Sequence, residues 1–468
     1  CSSDLPNRTP MQFSGKTPAC FGSQVRRLGA LLAVIGLSGG LRAQGFLDSM
    51  DGVLATDALQ GQVRVQASGT LDLEAYHLPQ PSPGLLFTDS RSLVIPRLSV
   101  YVDAEFGRRL YAFAQMRIDR GFDPSAQPVR VRLDDYALRT TPTDRGGFTL
   151  QVGRFGTVVG SWVPRHGSWS NPFITAPLPY EALTGIWDTT AVRSPRQLFA
   201  WAHVPPATNS PTEQQEKSLR VPILWGPSYG TGLAVAGRLG KIDVSAEWKN
   251  TSLSSDPGVW DDLPTRWRDG TIGGRVGYRP DAAWNFGFSV SDGPYLRASA
   301  ENTLLPGTRR DDYRQLVLGQ DISFAWHHWQ VWSEVFVSRF GIPGVGSADT
   351  YSGYLEASYR FGPRFSFASR WNRQYYASIP DGAGGDAAWG RSTWRLDLGP
   401  AYRLGAHTQI KLQHSFQHET NAPQVHKIFA IPNIMIGYCV KCRAKREMSG
   451  IKPVTMKNGK PASKGTCP

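Results

Sequence analysis

From Val63 to Gln417 the chain alternates apolar and polar residues, segment after segment, and hardly ever shows a helical period. The stretch Val63–Tyr76 sets the pattern. Val63, Val65, Ala67, Leu71, Leu73 and Ala75 fall on one side, and Arg64, Gln66, Ser68, Thr70, Asp72 and Glu74 on the other. Successive side chains of a strand point to opposite faces, so each segment is a strand with one apolar and one polar surface. About sixteen such strands (or eighteen) predict an all-β protein, a transmembrane antiparallel β-barrel whose apolar surface meets lipid and whose polar surface lines a water-filled lumen.

The connections fall into two lengths. Short turns are expected at 106–109, 238–241, 279–282, 326–329, 361–364 and 403–406, and long polar connections at 77–92, 252–270, 295–311, 340–350 and 377–390. Barrels of the outer membrane alternate short and long connections in this way. Trp326, Trp329, Trp332, Trp371, Tyr375 and Tyr376 stand near strand ends, where interfacial girdles are expected.

Strand parity assigns faces. Val100, Val102, Ala104 and Phe106 should meet lipid, as should Ile242, Val244, Ala246 and Trp248. So should Phe286, Phe288 and Val290, and Leu355, Ala357 and Tyr359. The expected lumen-lining charges are Asp103, Glu105, Arg117, Arg132, Asp134, Asp243, Glu247, Lys249, Arg275, Glu356, Arg360, Arg370, Arg395, Asp397 and Lys411. A cation facing lipid at mid-bilayer costs about 2–4 kcal/mol, so parity constrains them strongly.

One segment breaks the alternation. Residues 154–194 are rich in Gly, Pro and Trp. Its apolar residues need cover that an external loop does not give, so it is expected to fold inward and narrow the channel, with Arg154, Arg165 and His166 near the constriction.

The net charge of +13 invites a nucleic-acid partner, but it belongs to the chain ends. Residues 1–43 carry +4 and residues 439–468 carry +7, leaving only +2 for the 395 residues between. The five cysteines are also terminal: Cys1, Cys20, Cys439, Cys442 and Cys467. A body without thiols fits export through an oxidising compartment. Arg26-Arg27 precede an apolar run from Leu28 to Leu37, and Leu41-Arg42-Ala43 offers a cleavage site. This is a signal peptide followed by a mature body from Gln44, with Met11 the expected start.

Several motifs together resemble the phosphate-selective porin O and P family. They are Arg97-Leu98-Ser99-Val100-Tyr101-Val102-Asp103-Ala104, Leu133-Asp134-Asp135-Tyr136-Ala137, Leu150-Gln151-Val152-Gly153-Arg154-Phe155-Gly156, and Gly353-Tyr354-Leu355-Glu356-Ala357. The resemblance covers residues 60–420. It implies a homotrimeric outer-membrane channel for passive diffusion of small hydrophilic, often anionic, solutes. The mixed signs of the expected lumen charges point to weak selectivity.

From Tyr438 the character changes. Tyr438-Cys439-Val440-Lys441-Cys442-Arg443-Ala444-Lys445-Arg446 and Lys464-Gly465-Thr466-Cys467-Pro468 are similar to a short zinc-ribbon-like family of unknown function. The domains expected are therefore 1–43, a barrel at 44–436 and a truncated ribbon at 437–468, a joining of two genes. Four thiolates make a structural zinc site; Cys439, Cys442 and Cys467 are three, so the metal site is incomplete and expected to be empty. No other cofactor is implied. Before the junction, residues 425–436 could supply the last strand, although Pro432 removes one ladder bond.

Enzyme motifs are lacking. His327-His328 fall at an expected turn outside any H-E-x-x-H pattern, and the single G-x-S-x-G match, at Gly36–Gly40, lies in the signal peptide. Two other functions compete with a channel: a non-conducting structural barrel, and a zinc-ribbon nucleic-acid binder in which the barrel is a fusion artefact. With the body near neutral, outer-membrane lipid is the expected partner and nucleic acid is not.

Overall fold

The computed structural model describes residues 55–58, 62–78, 82, 84–88, 90–121, 128–143, 147–202, 217–260, 269–382, 384–420, 425–436, 449–455 and 461–466. At 55–58, 425–436, 449–455 and 461–466 the backbone alone is described. All belong to one compact unit, residues 48–468. The expected signal peptide and the three tail cysteines lie outside the described residues.

The alternating segments form strands β1 (Val63–His77), β2 (Ser92–Phe106), β3 (Leu110–Asp119), β4 (Arg130–Thr140), β5 (Phe148–Phe155), β6 (Gly230–Leu239), β7 (Ile242–Lys249) and β8 (Thr271–Tyr278). They continue as β9 (Trp284–Pro294), β10 (Arg314–Trp326), β11 (Trp329–Ile342), β12 (Gly346–Arg360), β13 (Phe365–Tyr376), β14 (Thr393–Arg403), β15 (Thr408–Glu419) and β16 (Val425–Ile436). Each pairs antiparallel with the next, and β16 pairs with β1 from Ile428↔His77 to Ile436↔Gly69, which closes the sheet. The short strand Ala55–Ala58 pairs with the first residues of β1, beyond the reach of β16. Closure leaves no edge along the sixteen long strands, the condition for a sheet to exist in lipid.

Pro432 is accommodated in β16. It stands opposite Ile410 of β15, while the pairing with β1 passes from Ala430↔Ala75 to Asn433↔Asp72. The missing N–H thus falls in a gap of the ladder.

The barrel is inside-out by soluble standards. Leu355, Phe288 and Val335 are each 54% exposed, whereas Glu334, Glu356 and Arg370 are fully buried. At the end where turns are short, Gly107 and Gly240 take positive φ, as does His327 in the turn between β10 and β11. In β4 one extra residue, Asp134, stands between the pairs Gln115↔Asp135 and Met116↔Leu133. This bulge shifts the alternation so that Asp134 and Asp135 need not take opposite faces.

Three local expectations change. Residues 340–350 are not a long loop: β11 and β12 extend as paired strands to Ile342↔Gly346 and turn tightly, stabilised by Arg339 bidentate on Asp349. Trp332 and Tyr376 do not join a girdle. Both have inward parity; Trp332 lies 4.3 Å beneath the Arg165 guanidinium, and Tyr376 packs edge-on against Trp389. Trp326, Trp329, Trp371 and Tyr375 do face outward. Residues 449–455 and 461–466 pair in a separate two-stranded sheet.

Leu355→Arg, on the outer face, should cost about 2–4 kcal/mol when the protein is refolded into vesicles. Ser358→Arg, on the inward face near the short-turn rim, should cost under about 1 kcal/mol. Denaturant titration of the two variants checks this.

Candidate functional site

Between β5 and β6 the chain leaves the sheet and runs from Gly156 to Tyr229. Glycines and prolines prevent a strand here, and the described residues of the segment include short turns at Val163–Arg165 and Leu178–Tyr180 and a helix, α1 (Pro195–Ala202). Gly160 has φ +78°, and a Cβ there would lie 2.4 Å from the Tyr180 hydroxyl. The segment fills part of the barrel, because its partners are inward-facing side chains of the wall.

Glu334 of β11 accepts from the Trp162 N–H (3.1 Å), the Ser161 hydroxyl (2.8 Å) and the Tyr180 hydroxyl (2.8 Å), and also from the Ser161 N–H. Arg165 donates to Glu356 (2.5 Å) and to the Tyr354 hydroxyl (2.9 Å). Arg370 donates to Asp397 (2.9 Å), to Glu356 (3.4 Å) and to the Thr175 carbonyl (2.9 Å), and lies 4.5 Å over the Phe173 ring. Arg395 bonds Asp397, Glu181 and the Ala176 carbonyl. Lys411 donates to the carbonyls of Ser168 and Asn171. On the other side Glu247 accepts from Val158 N–H (3.1 Å), and Lys249 donates to the carbonyls of Phe155 (2.8 Å) and Ser228 (3.0 Å).

Glu247, Lys249, Glu356, Arg370, Arg395 and Lys411 therefore face inward but are each at most 6% exposed, covered by the insert rather than by water. Inward-facing Val317, Phe336 and Tyr354 add an apolar patch against Val159, Trp162 and Tyr180. Nearer the long-loop end, Leu198 of α1 packs with Ile186, Val221, Tyr295, Phe340 and Trp389. There burial holds the Asp188 carboxyl above the usual range despite Arg297, 2.7 Å away.

The opposite wall is less covered. On β2–β4, Arg97 is 25% exposed while its partners Glu74 and Asp119 are 3% and 2%. Arg132 is 29% exposed beside the same Asp119. Arg117 pairs with Asp134 (3.2 Å), and Arg139 donates to Gln151 (2.9 Å). Facing them is an edge of the insert. His166 lies 2.5 Å from the Val163 carbonyl through Nδ1 and 2.9 Å from the Tyr229 hydroxyl through Nε2. With Nδ1 donating to the carbonyl, Nε2 accepts from Tyr229. The electrostatic neighbours of Tyr229 are Asp135, Arg117, Asp134 and Tyr101.

Arg154, Arg165 and His166 do not converge. Arg154 donates to the Pro257 carbonyl in the loop after β7, Arg165 is drawn to β12, and His166 alone faces Tyr229. Arg275 pairs with Asp321 (2.6 Å), in a space that a Cβ on Gly287 would fill. Asp103 takes the Tyr111 hydroxyl, while Glu105 and Arg360 are exposed at the short-turn rim. Glu334 and Asp119 were not singled out from the sequence, whereas Glu74 stands on the polar side expected for β1 and inward parity extends to Arg97 from Asp103. Among the described residues, no group of three or more metal-binding side chains occurs.

Among solved structures, the chain is similar to the outer membrane channel DcaP of Acinetobacter baumannii (TM-score 0.51, 8% identity, covering 82% of this chain and 100% of that one). It is also similar to Salmonella typhi OmpF in complex with daunomycin (0.50, 10%, 81% and 100%). A loop-deletion mutant of OmpT, an outer membrane protein of Vibrio cholerae, is similar too (0.50, 9%, 80% and 99%). The likeness is one of fold. Residues 438–468 match the family model described as a domain of unknown function, DUF5679. Among curated proteins, none matches the chain in sequence.

Arg370→Met leaves Glu356 and Asp397 short of a buried cation, a loss of about 3–5 kcal/mol. Limited proteolysis in rising denaturant should cut this variant within residues 156–229 before the parent is cut, while Arg309→Met, in the loop after β9, should match the parent.

Proposed function

We propose that the chain is an outer-membrane channel for passive diffusion of small hydrophilic solutes, with a weak preference for anions. The observation that carries this is one closed barrel with an apolar outer surface and a polar interior narrowed by an inserted segment. The solute path runs between the His166–Tyr229 edge and the β2–β4 wall. There the guanidiniums of Arg97 and Arg132 are the water-facing members of their ion pairs, and the carboxylates lie beneath them. A solute anion meets nitrogen donors first. Because each cation is already paired, the preference is modest rather than a tight site.

We read the protein as a homotrimer. The outer surface supports this: aromatic residues crowd the outward faces of β9–β14, whereas Ala67, Ala75, Ala104, Ala112 and Ala114 share the outward parity of β1–β3. Together with Leu71, Val94, Leu98 and Val102 they make an aliphatic face that suits contact with another copy better than the aromatic faces of β9–β14 do. Native mass spectrometry of detergent-extracted protein should give three chains.

In planar bilayers the protein should conduct, and Arg132→Glu should move ion preference several-fold toward cations, while Arg309→Glu should leave it unchanged. Equal effects would place the path elsewhere. A sealed bilayer would favour the non-conducting barrel.

The tail is proposed to hold no metal. Cys439, Cys442 and Cys467 fall one thiolate short of a closed tetrahedral set. Metal analysis of purified protein should find well under one zinc per chain; stoichiometric zinc lost on Cys467→Ala would contradict this.

A further inference from the structure

Because Arg370, Asn372 and Gln374 fill the interior from β13, the alternate residues Trp371, Arg373 and Tyr375 stand on its outer face. In register, Arg373 is opposite Trp394 of β14, which is opposite His418 of β15. Trp371 and Trp394 stack, with ring centroids 5.1 Å apart and planes 21° from parallel. His418 lies 6.2 Å from Trp394, and the Arg373 guanidinium lies 4.3 Å over the Tyr375 ring.

Arg373 differs from the other outward cations near the long-loop end. Arg314 is paired with Asp292, Arg339 with Asp349, and Arg154 donates to the Pro257 carbonyl. Arg373 has no acidic partner among the described residues, and its Nε is buried without a hydrogen-bond partner. Its height is interfacial. Phe365 belongs to an aromatic cluster with Phe361 and Tyr359 at the short-turn end. At about 3.3 Å per residue and the usual tilt near 40°, the ten residues on to Tyr375 climb about 25 Å, the height of the apolar band of such a barrel.

We propose that Trp371, Arg373, Tyr375, Trp394 and His418 form an external site for the headgroup of a phosphorylated glycolipid. The guanidinium is a planar fork that matches phosphate oxygens. The stacked indoles offer a flat apolar platform to the apolar face of a sugar ring, at the level where aromatic residues meet headgroups. His418 supplies a second nitrogen donor. A second copy of the chain is a poorer occupant, because the acids on the outward faces of the described strands, Asp292 and Asp349, already pair with arginines. The inference rests on the proposal that this surface meets lipid.

The test uses full-length protein in phosphatidylcholine nanodiscs carrying a bis-phosphorylated glucosamine-disaccharide lipid, its dephosphorylated form, or phosphatidylglycerol. Lipid retained on release is read by native mass spectrometry. The bis-phosphorylated lipid should be retained above both others. Arg373→Ala should lower its retention about tenfold, with partial recovery in Arg373→Lys. Trp394→Ala should lower retention of the glycolipid and not of phosphatidylglycerol. Unchanged retention in Arg373→Ala would overturn the site, as would phosphatidylglycerol held equally well or loss of chain–chain association in that variant. Conductance in the same bilayers separates the two claims: a variant that conducts normally but retains no less glycolipid removes this site and leaves the channel standing.

Discussion

The interior charges of β11–β15 need a partner that the wall itself does not fully provide. Glu334, Glu356, Arg370, Arg395 and Lys411 project from one side of the barrel, and an unpaired charge buried there would cost several kcal/mol. The segment between β5 and β6 answers them with backbone N–H groups, carbonyls and Arg165. Glu334 gathers two N–H groups and two hydroxyls, while Lys411 and Arg370 are met by carbonyls of residues 168–175. The match works in both directions: a stretch with too many prolines and glycines to make strands has its own backbone groups satisfied by the wall.

That attachment, to β11–β15 and to Glu247 and Lys249 of β7, determines where water can go. With the insert fixed toward β11–β15 and apolar packing around α1 closing part of the long-loop end, the β2–β4 wall keeps its partly exposed arginines. The residues that would discriminate among solutes are therefore fewer than the inward-facing charges. Most of the latter are structural ties, and a substitution among them should act first on the position of the insert and only through it on permeation.

The architecture was legible in the sequence because period-two alternation is a local property, repeated strand by strand. Parity also told which residues leave the lipid face. It could not say whether an inward residue meets water or chain, because that depends on pairings far apart in sequence, such as Lys411 with Asn171 or Arg395 with Glu181. Trp332 is a different case: the parity it shares with buried Glu334 already turns it away from the girdle, to the floor beneath Arg165. Residues 340–350 read as a loop because polar residues interrupt the apolar face, yet Arg339 and Asp349 are cross-strand partners that carry the hairpin beyond the apolar band.

The central claim is that the insert covers one wall and leaves the other to water. The body from Phe21 to Tyr438 has no cysteine, so with the five terminal cysteines replaced by serine, single thiols can report on each wall. In planar bilayers, Arg132→Cys should react with a bulky charged thiol reagent and lose conductance, whereas Ser352→Cys, 3% exposed on β12, should neither react nor change conductance. Modification and block at position 352, with position 132 silent, would contradict the account.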